Sequence, residues 1–155
     1  MKPMQLDSID KKILQLLQHD AKQTTKELSI KTNLSVTAVY ERVKKLEKNK
    51  IIRKHTVLLD KNKIGKSFTV FCHIKLVKPE KEIIQQFEKE ISRLNEVMEC
   101  FHVSGDYDYI LKVHVADMDT FREFMVNKLT AIKSIGSTQS SISIGEVKNT
   151  TEFDI

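Results

Sequence analysis

Tryptophan is absent from this 155-residue sequence, and cysteine (2), proline (2) and glycine (4) are scarce. Each shortage excludes something. Cys72 and Cys100 sit inside alternating apolar segments and form no Cys-x-x-Cys pair, so neither a disulfide framework nor a thiol-rich zinc motif is present. So little glycine and proline argues against collagen-like or low-complexity stretches. Four glycines also leave no room for a phosphate-cradling loop, and no GxSxG, HExxH or GxxxxGK[ST] string occurs. With no catalytic constellation in view, the chain is expected not to be an enzyme and to have no catalytic residue. Apolar runs last a few residues, far short of the ~20 that span a bilayer. No apolar segment follows the N-terminal charge, as a signal peptide would require. The expectation is a cytoplasmic protein in a reducing compartment, with no membrane partner.

Charge is plentiful, and it is unevenly spread. Charged residues make up 30% of the chain and the formal net charge is +5. The first 65 residues hold 15 Lys and Arg against 7 Asp and Glu, a net of +8, while the remaining ninety hold 11 against 14, a net of −3. A basic first part and a mildly acidic second part predict two modules, one of which meets a polyanion.

The basic part reads as helices. Asp7 is placed to cap a helix, with Asp10 favouring its positive end, and Ile9, Ile13, Leu14, Leu16 and Leu17 form a helical stripe closed by His19, Asp20 and Ala21. Thr24 and Glu27 form a capping box for a short helix carrying Leu28 and Ile30, which ends near Thr32 and Asn33. Ser35 caps a third helix with Val39, Val43 and Leu46 inward and Asn49 as its stop. Ile51, Ile52 and the stretch from His55 to Leu59 alternate enough to predict a short strand or wing. Helix, short helix, tight turn, helix is a helix-turn-helix, whose last helix enters the major groove of double-stranded DNA. The expected DNA-facing set is Thr24, Thr25, Ser35, Val36, Thr37, Tyr40, Glu41, Arg42, Lys44 and Lys45. Hydroxyls and an aromatic at the helix start suit base edges and thymine methyls, and lysines further along suit phosphates. Lys48, Lys50, Arg53 and Lys54 extend the basic strip. The alternative is a three-helix bundle with a solvated lysine face.

The remaining residues change period. Phe68, Val70, Cys72, Ile74 and Leu76 alternate as a strand, broken at Lys78-Pro79-Glu80. Ile83, Ile84, Phe87 and Ile91 form a helical stripe. Val97 to Val103 and Tyr109 to Val115 are further strands, joined by the turn Ser104 to Asp108. Asp119 is expected to cap a helix with Phe121, Phe124, Met125 and Leu129 inside, and a last strand containing Ile142 and Ile144 starts near Thr138. The order β-α-β-β-α-β is the ferredoxin-like plan, so the fold class is α+β. The expected domains are 1–60, a hinge at 61–66, and 67–155. Apolar residues at both parities of the strands, Phe71, Val77 and Phe101 among them, suggest that the second sheet face is also buried. That predicts a homodimer formed sheet to sheet.

Taken together these segments resemble the Lrp/AsnC family of feast/famine transcriptional regulators. Leu6-Asp7-Ser8-Ile9-Asp10 with Ile13 to Leu17 resembles the family's opening helix, and Leu34-Ser35 with Arg42 to Glu47 its recognition helix. Leu59-Asp60 with Ile64-Gly65 resembles its hinge, Ser104 to Tyr109 the turn of its effector (RAM-type) domain, and Glu146-Val147-Lys148 its ending. The resemblance runs from Leu6 to about Lys148. It implies a winged helix-turn-helix regulator of bacterial or archaeal type, nucleoid-associated, whose second domain dimerises and assembles into tetramers or octamers of dimer units. It also implies a free amino-acid effector near the turn and the start of the last strand, carried over as Gly105, Asp106, Tyr107, Asp108, Thr138 and Ser140. Backbone amides beside a glycine suit the ligand carboxylate, Asp106 or Asp108 its ammonium, and Thr138 or Ser140 either end. The plain alternative is a β-turn with two solvated aspartates and a tyrosine packed at the sheet edge.

The sequence departs from the family at Glu41, where a basic residue is usual, at Val36 and Ala38, and at Asn49, where glycine is usual. Glu41 can contact a cytosine amino group or pair with Lys44 or Lys45. Gln139 and Ser141 border the implied ligand site. Two rival readings use the same residues. An architectural, nucleoid-like protein would bind DNA through the basic face without effector or sequence preference. A metal-responsive regulator would use Cys100 and His102, two apart on one strand, with His73 or His114 from neighbouring strands. The expected set contains no metal ligand, and no cofactor beyond the amino-acid effector.

Overall fold

The computed structural model describes residues 5–155, which form two compact units: the residues up to Leu58 together with Lys148–Ile155, and Leu59–Val147. In the first unit, α1 (Ser8–His19), α2 (Thr25–Thr32) and α3 (Val36–Lys48) each start on the capping residue read from sequence. The Asp10 amide donates to Asp7 Oδ1 at 2.7 Å, and the Ala38 amide to Ser35 Oγ at 3.1 Å. At α2 the box closes both ways: the Glu27 amide donates to Thr24 Oγ1 at 3.2 Å and the Thr24 amide to Glu27 Oε2 at 2.7 Å. Asn33 takes the left-handed conformation, φ 55°, that ends α2 and starts the tight turn. Ile13, Leu14, Leu28, Val39 and Leu46 form the buried core, with Leu6, Ile9, Leu17 and Val43 packed around it.

α3 ends in a two-bond lock. The Lys50 amide donates to the Glu47 carbonyl and the Ile51 amide to the Leu46 carbonyl, both at 2.9 Å, with Lys50 at φ 58°. This is the Schellman geometry, and the left-handed residue is a lysine rather than a glycine. Downstream, the expected wing strand does not form: residues 53–60 belong to no helix or strand, and Val57, Leu58 and Leu59 are exposed. A strand needs a ladder partner, and the strands among the described residues all lie in the second unit.

One ion-pair cluster joins the two long helices. Arg42 Nη1 on α3 lies 2.7 Å from Asp7 Oδ2 and 2.6 Å from Asp10 Oδ1, and the Asp10 side chain is only 4% exposed. Asp7 therefore caps α1 and receives Arg42 at once. Its carboxyl is held below its ordinary value of 3.8, first by the Asp10 amide and then by Arg42.

The second unit is a four-stranded antiparallel sheet in the order β2-β3-β1-β4, built from β1 (Phe68–Leu76), β2 (Val97–His102), β3 (Tyr109–Val115) and β4 (Ile135–Ile142). Between them run α4 (Lys81–Ile91) and α5 (Met118–Phe124), the latter continued by a π-helical turn Met125–Leu129. One sheet face carries Val70, Cys72, Ile74, Leu76, Tyr109, Leu111, Val113 and Val115 into a core shared with Phe87, Ile91, Phe121, Phe124 and Leu129. The other face is mixed. Phe71, Phe101 and Ile110 lie there beside an ion pair between Lys112 and Glu99 at 2.9 Å.

Four boundaries differ from expectation. Asp117, not Asp119, caps α5, its Oδ1 accepting from the Thr120 amide at 2.8 Å; both aspartates lie close to the helix start, and only the one with extended backbone can reach back over the first turn. β4 begins at Ile135 rather than near Thr138 because it takes up Gly136 as an extra residue: Lys75 pairs with Ser137 and Leu76 with Ile135, so β4 bulges and keeps pairing. Gly136 fits there because a Cβ would stand 3.3 Å from the Leu76 backbone. Ile144 lies beyond the strand and is fully exposed. Finally, the expectation placed all of 67–155 in the second domain, whereas Lys148–Ile155 groups with the helical unit, held by α1 through Gln15 and Gln18.

Two outcomes follow from the helical unit. Lys50→Gly relieves a side chain held at positive φ and should stabilise by about 0.5–1 kcal/mol, read as a raised denaturation midpoint. Arg42→Met should cost roughly 2–3 kcal/mol, because it leaves Asp10 buried without its cation. The Asp7–Arg42 bond adds a dependence on pH of defined sign. A carboxyl lowered on folding stabilises above its ordinary value and ceases to as pH falls through its folded value. The gap between Arg42→Met and the parent in urea melts should therefore narrow below about pH 4. A gap unchanged from pH 7 to pH 3 would exclude the clamp as its cause.

Candidate nucleic-acid interface and ligand site

α3 offers two parallel rows to a partner. Val36, Tyr40 and Lys44 step by four residues, as do Thr37, Glu41 and Lys45, so each row follows one line of the helix surface. All six are exposed, Val36 and Tyr40 about half so. Lys44 Nζ sits 5.8 Å from the Tyr40 ring centroid and 2.9 Å from Glu47 Oε2, which orients it along the row. Glu47 is the acid that takes Lys44 and, at 3.3 Å, His55 Nε2. Glu41 and Lys45 enter no ion pair among the described residues, so the charge reversal at Glu41 faces outward.

Not every expected DNA contact is free to make one. Arg42 is committed to Asp7 and Asp10 and acts as an internal strut. Thr24 spends its hydroxyl on Glu27, accepting from its amide and donating to Oε2 at 2.8 Å. Thr25, the first residue of α2, is half-buried. Ser35 accepts from Ala38 and keeps a proton to donate outward. Conversely, Lys22 and Lys26 flank the capping box on exposed positions and were not singled out in the sequence. Their signal there was only a share of the general positive charge.

In the second unit, the turn from Ser104 to Asp108 meets the end of β1. Gly105 has φ 129°, a conformation that only glycine takes easily. Asp108 holds the turn through three bonds: its amide donates to the Ile74 carbonyl and its carbonyl accepts from the Val103 amide, both at 2.9 Å, while Oδ2 accepts from the Leu76 amide at 2.7 Å. Asp106 is exposed. The Tyr107 hydroxyl donates to Gln139 Oε1, and its ring tilts against His73 at 5.3 Å.

Register then separates the six carried-over residues. Gln139 lies opposite His73, so Tyr107 reaches the outer sheet face. Thr138 lies opposite Ile74 and Ser140 opposite Cys72, and directly opposed residues share a face, here the helix-covered one. Ser140 Oγ is 3.9 Å from Cys72 Sγ. The turn and the start of β4 are thus neighbours at one end of the sheet, with Tyr107 on one side of it and Thr138 and Ser140 on the other.

The metal reading finds no support in this geometry. Cys100 and His102 do share the helix-side face, opposite Leu111 and Tyr109, but His73 and His114 pair with Ile110 and Thr69 on the other. No group of three or more His, Cys, Asp or Glu able to hold a metal occurs among the described residues. Burial, then the Glu88 charge, pushes the Cys100 thiol up to about 11. A cleft of about 330 Å³ lined by Glu88, Ile91, Ser92, Cys100, His102 and Tyr109 lies here. Its walls are tied together by the Tyr109 hydroxyl donating to Glu88 Oε1 at 2.8 Å and by His102 stacked on Tyr109 at 4.5 Å. No helix among the described residues is long and apolar enough to cross a membrane.

Comparison with known proteins covers both units. Residues 6–53 match the winged helix-turn-helix DNA-binding family, and residues 69–153 match the Lrp/AsnC ligand binding domain. The leucine-responsive regulatory protein of Escherichia coli K12 is 35% identical over 150 residues, 97% of this chain and 92% of that protein. The crystal structure of a transcriptional regulator from Neisseria meningitidis in complex with L-Met superposes with a TM-score of 0.92 at 31% identity, covering 97% of each chain. That of an AsnC-family transcriptional regulator from Agrobacterium tumefaciens gives 0.91 at 33% identity, over 96% of this chain and 97% of the other. Capped helix-turn-helix, ferredoxin-like second unit and near full-length similarity converge: the chain belongs to the Lrp/AsnC family of transcriptional regulators, with a DNA-binding helix-turn-helix that matches the winged type and an Lrp/AsnC ligand-binding domain.

Proposed function

We propose that this regulator reads DNA through the two rows of α3 and responds to a free amino acid bound at the turn end of its second unit. The observation that carries the DNA reading is the exposed pair of rows, Val36-Tyr40-Lys44 and Thr37-Glu41-Lys45, on a helix clamped in place by Arg42. Thr37, Tyr40 and Glu41 read base edges, Val36 packs on thymine methyls, and Lys44, Lys45 and Ser35 hold phosphates, with Thr25 at the start of α2 as a further phosphate contact and Thr24 capping that helix. The protein carries out no chemical reaction and needs no metal or other cofactor for this role. It works in the cytoplasm on nucleoid DNA.

Two copies pair through the mixed outer sheet face that carries Phe71, Phe101 and Ile110, which supplies two α3 helices for two half-sites. Tetramers or octamers of such dimers follow the same logic. Gly105, Asp106, Thr138 and Ser140 contact the effector, with Tyr107 and Asp108 shaping the turn. An amino acid as effector class is supported by the L-Met held by the Neisseria regulator and by the leucine response named for the Escherichia coli relative. The second domain is taken as starting at residue 67, after a hinge at 61–66.

Competition between selected binding fragments and random DNA tests the first half. Tyr40→Ala and Thr37→Ala should lose about 1–3 kcal/mol on selected sites and little on random DNA. Lys45→Ala should weaken both equally and reduce the salt slope by about one. Equal loss on every DNA for Tyr40→Ala would exclude base reading there. For the second half, calorimetry with each common amino acid should give one binder whose heat disappears in Thr138→Ala while the dimer persists in sedimentation. Absence of heat with all of them, and no change in assembly, would remove the effector role.

A further inference from the structure

The stretch after β4 has no part in either role described above, yet it is held in place. It leaves the second unit at Val147, and Lys148–Ile155 groups with the helices. Gln18 Oε1 accepts from the Phe153 amide at 2.7 Å while Gln18 Nε2 donates to the Phe153 carbonyl at 3.0 Å. One carboxamide thus exchanges both bonds with one backbone residue, as a strand neighbour does in an antiparallel ladder. Gln15 Nε2 donates to the Ile155 carbonyl at 3.1 Å. Residue 153 meets position 18 and residue 155 meets position 15, so the segment runs antiparallel to α1. The spacings agree: side chains three apart on a helix stand ~5–6 Å apart, and two extended residues span ~6.6 Å. Phe153 is 76% exposed and its hydrogen bonds to α1 all run through its backbone, so the grip is on backbone and not on the side chain.

We infer that Gln15 and Gln18 make α1 a docking surface for extended backbone, that its occupant is this chain's own C-terminal segment, and that docking is coupled to α3 through the Arg42 clamp on Asp7 and Asp10. The occupant follows from connectivity: a segment tethered to β4 is present at high effective concentration. The chain crosses between the units twice, at Leu58–Leu59 and at Val147–Lys148. Inside the second unit, Lys61 Nζ and Glu146 Oε2, 2.6 Å apart, tie the residues beside those crossings together. The same α1 that holds Phe153 near its C-terminal end holds Arg42 of α3 at its N-terminal end. Movement of the tail and placement of the DNA-reading rows therefore share one rigid element. Reciprocity makes this measurable: whatever factor docking contributes to DNA affinity, DNA contributes to docking. The coupling rests on the DNA-binding reading above; the docking does not.

The test is amide hydrogen exchange at Phe153 in the full chain, with and without a random-sequence duplex pool, beside DNA titrations. The Phe153 amide should be protected, and Gln18→Ala should abolish that protection. Saturating DNA should change its exchange by about fivefold, and Gln18→Ala should shift DNA affinity by the same factor. Phe153→Pro, which removes the amide donor without touching a helix, should shift affinity as Gln18→Ala does. Equal exchange at Phe153 in the parent and Gln18→Ala overturns the docking. Protection that ignores DNA, with both variants binding DNA as the parent does, overturns the coupling. A parent protein that binds no duplex removes the DNA-binding reading and the coupling with it, while the exchange comparison still decides the docking.

Discussion

The bonds from Arg42 to Asp7 and Asp10 are the constraint on which the DNA-facing surface depends. Ile13, Val39 and Leu46 bury apolar area between α1 and α3, but apolar packing is non-directional and tolerates sliding. A guanidinium held by two carboxylates does not. Asp10 is almost wholly buried, so its charge is tolerable only with Arg42 in place, and Asp7 is fixed because it also closes the first turn of α1. The angular setting of α3 follows, and with it the outward direction of Tyr40, Thr37 and Lys45. A basic residue expected from sequence to be a DNA contact is an internal strut that fixes the outward direction of its neighbours.

The second unit uses polar groups in a similar way. Asp108 looks like an acceptor for a ligand ammonium, but its Oδ2 is spent on the Leu76 amide, beside the bulge where β4 pairs with the end of β1. That bond and the Gly105 conformation hold the turn against the start of β4. Once the register of β4 is set, alternation sends Thr138 and Ser140 to one side of the sheet and Gln139 to the other, where it meets Tyr107. The proposed effector residues Thr138 and Ser140 therefore lie on the helix side of this end, and the tyrosine belongs to the outer face.

Much of this was legible from residue order because the signals are local. Caps at Asp7, Thr24 and Ser35 act within three residues of themselves, and the alternation from Phe68 to Leu76 needs only the strand's own pleat. The misread features depend on something distant. The stretch from His55 to Leu59 alternates but has no strand beside it. The last strand reads as starting near Thr138, and only its pairing with β1 shows that it begins at Ile135 and carries Gly136 as the extra residue of a bulge. Asp117 and Asp119 are equally good caps on paper, and the backbone path chose between them.

By itself, the sequence determined that there are two modules of opposite charge, three capped helices followed by β-α-β-β-α-β, and a family resemblance running nearly end to end. These rest on propensity, periodicity and short-range hydrogen bonding, which the chain carries locally. Only the tertiary structure decided that Arg42 faces inward, that His73 and His114 cannot join Cys100 and His102, that the carried-over ligand residues divide between two sheet faces, and that the final segment returns to α1. Each of those depends on which groups distant in sequence become neighbours. That is set by helix packing and strand register, where one residue of shift reverses every side chain and which no local pattern records.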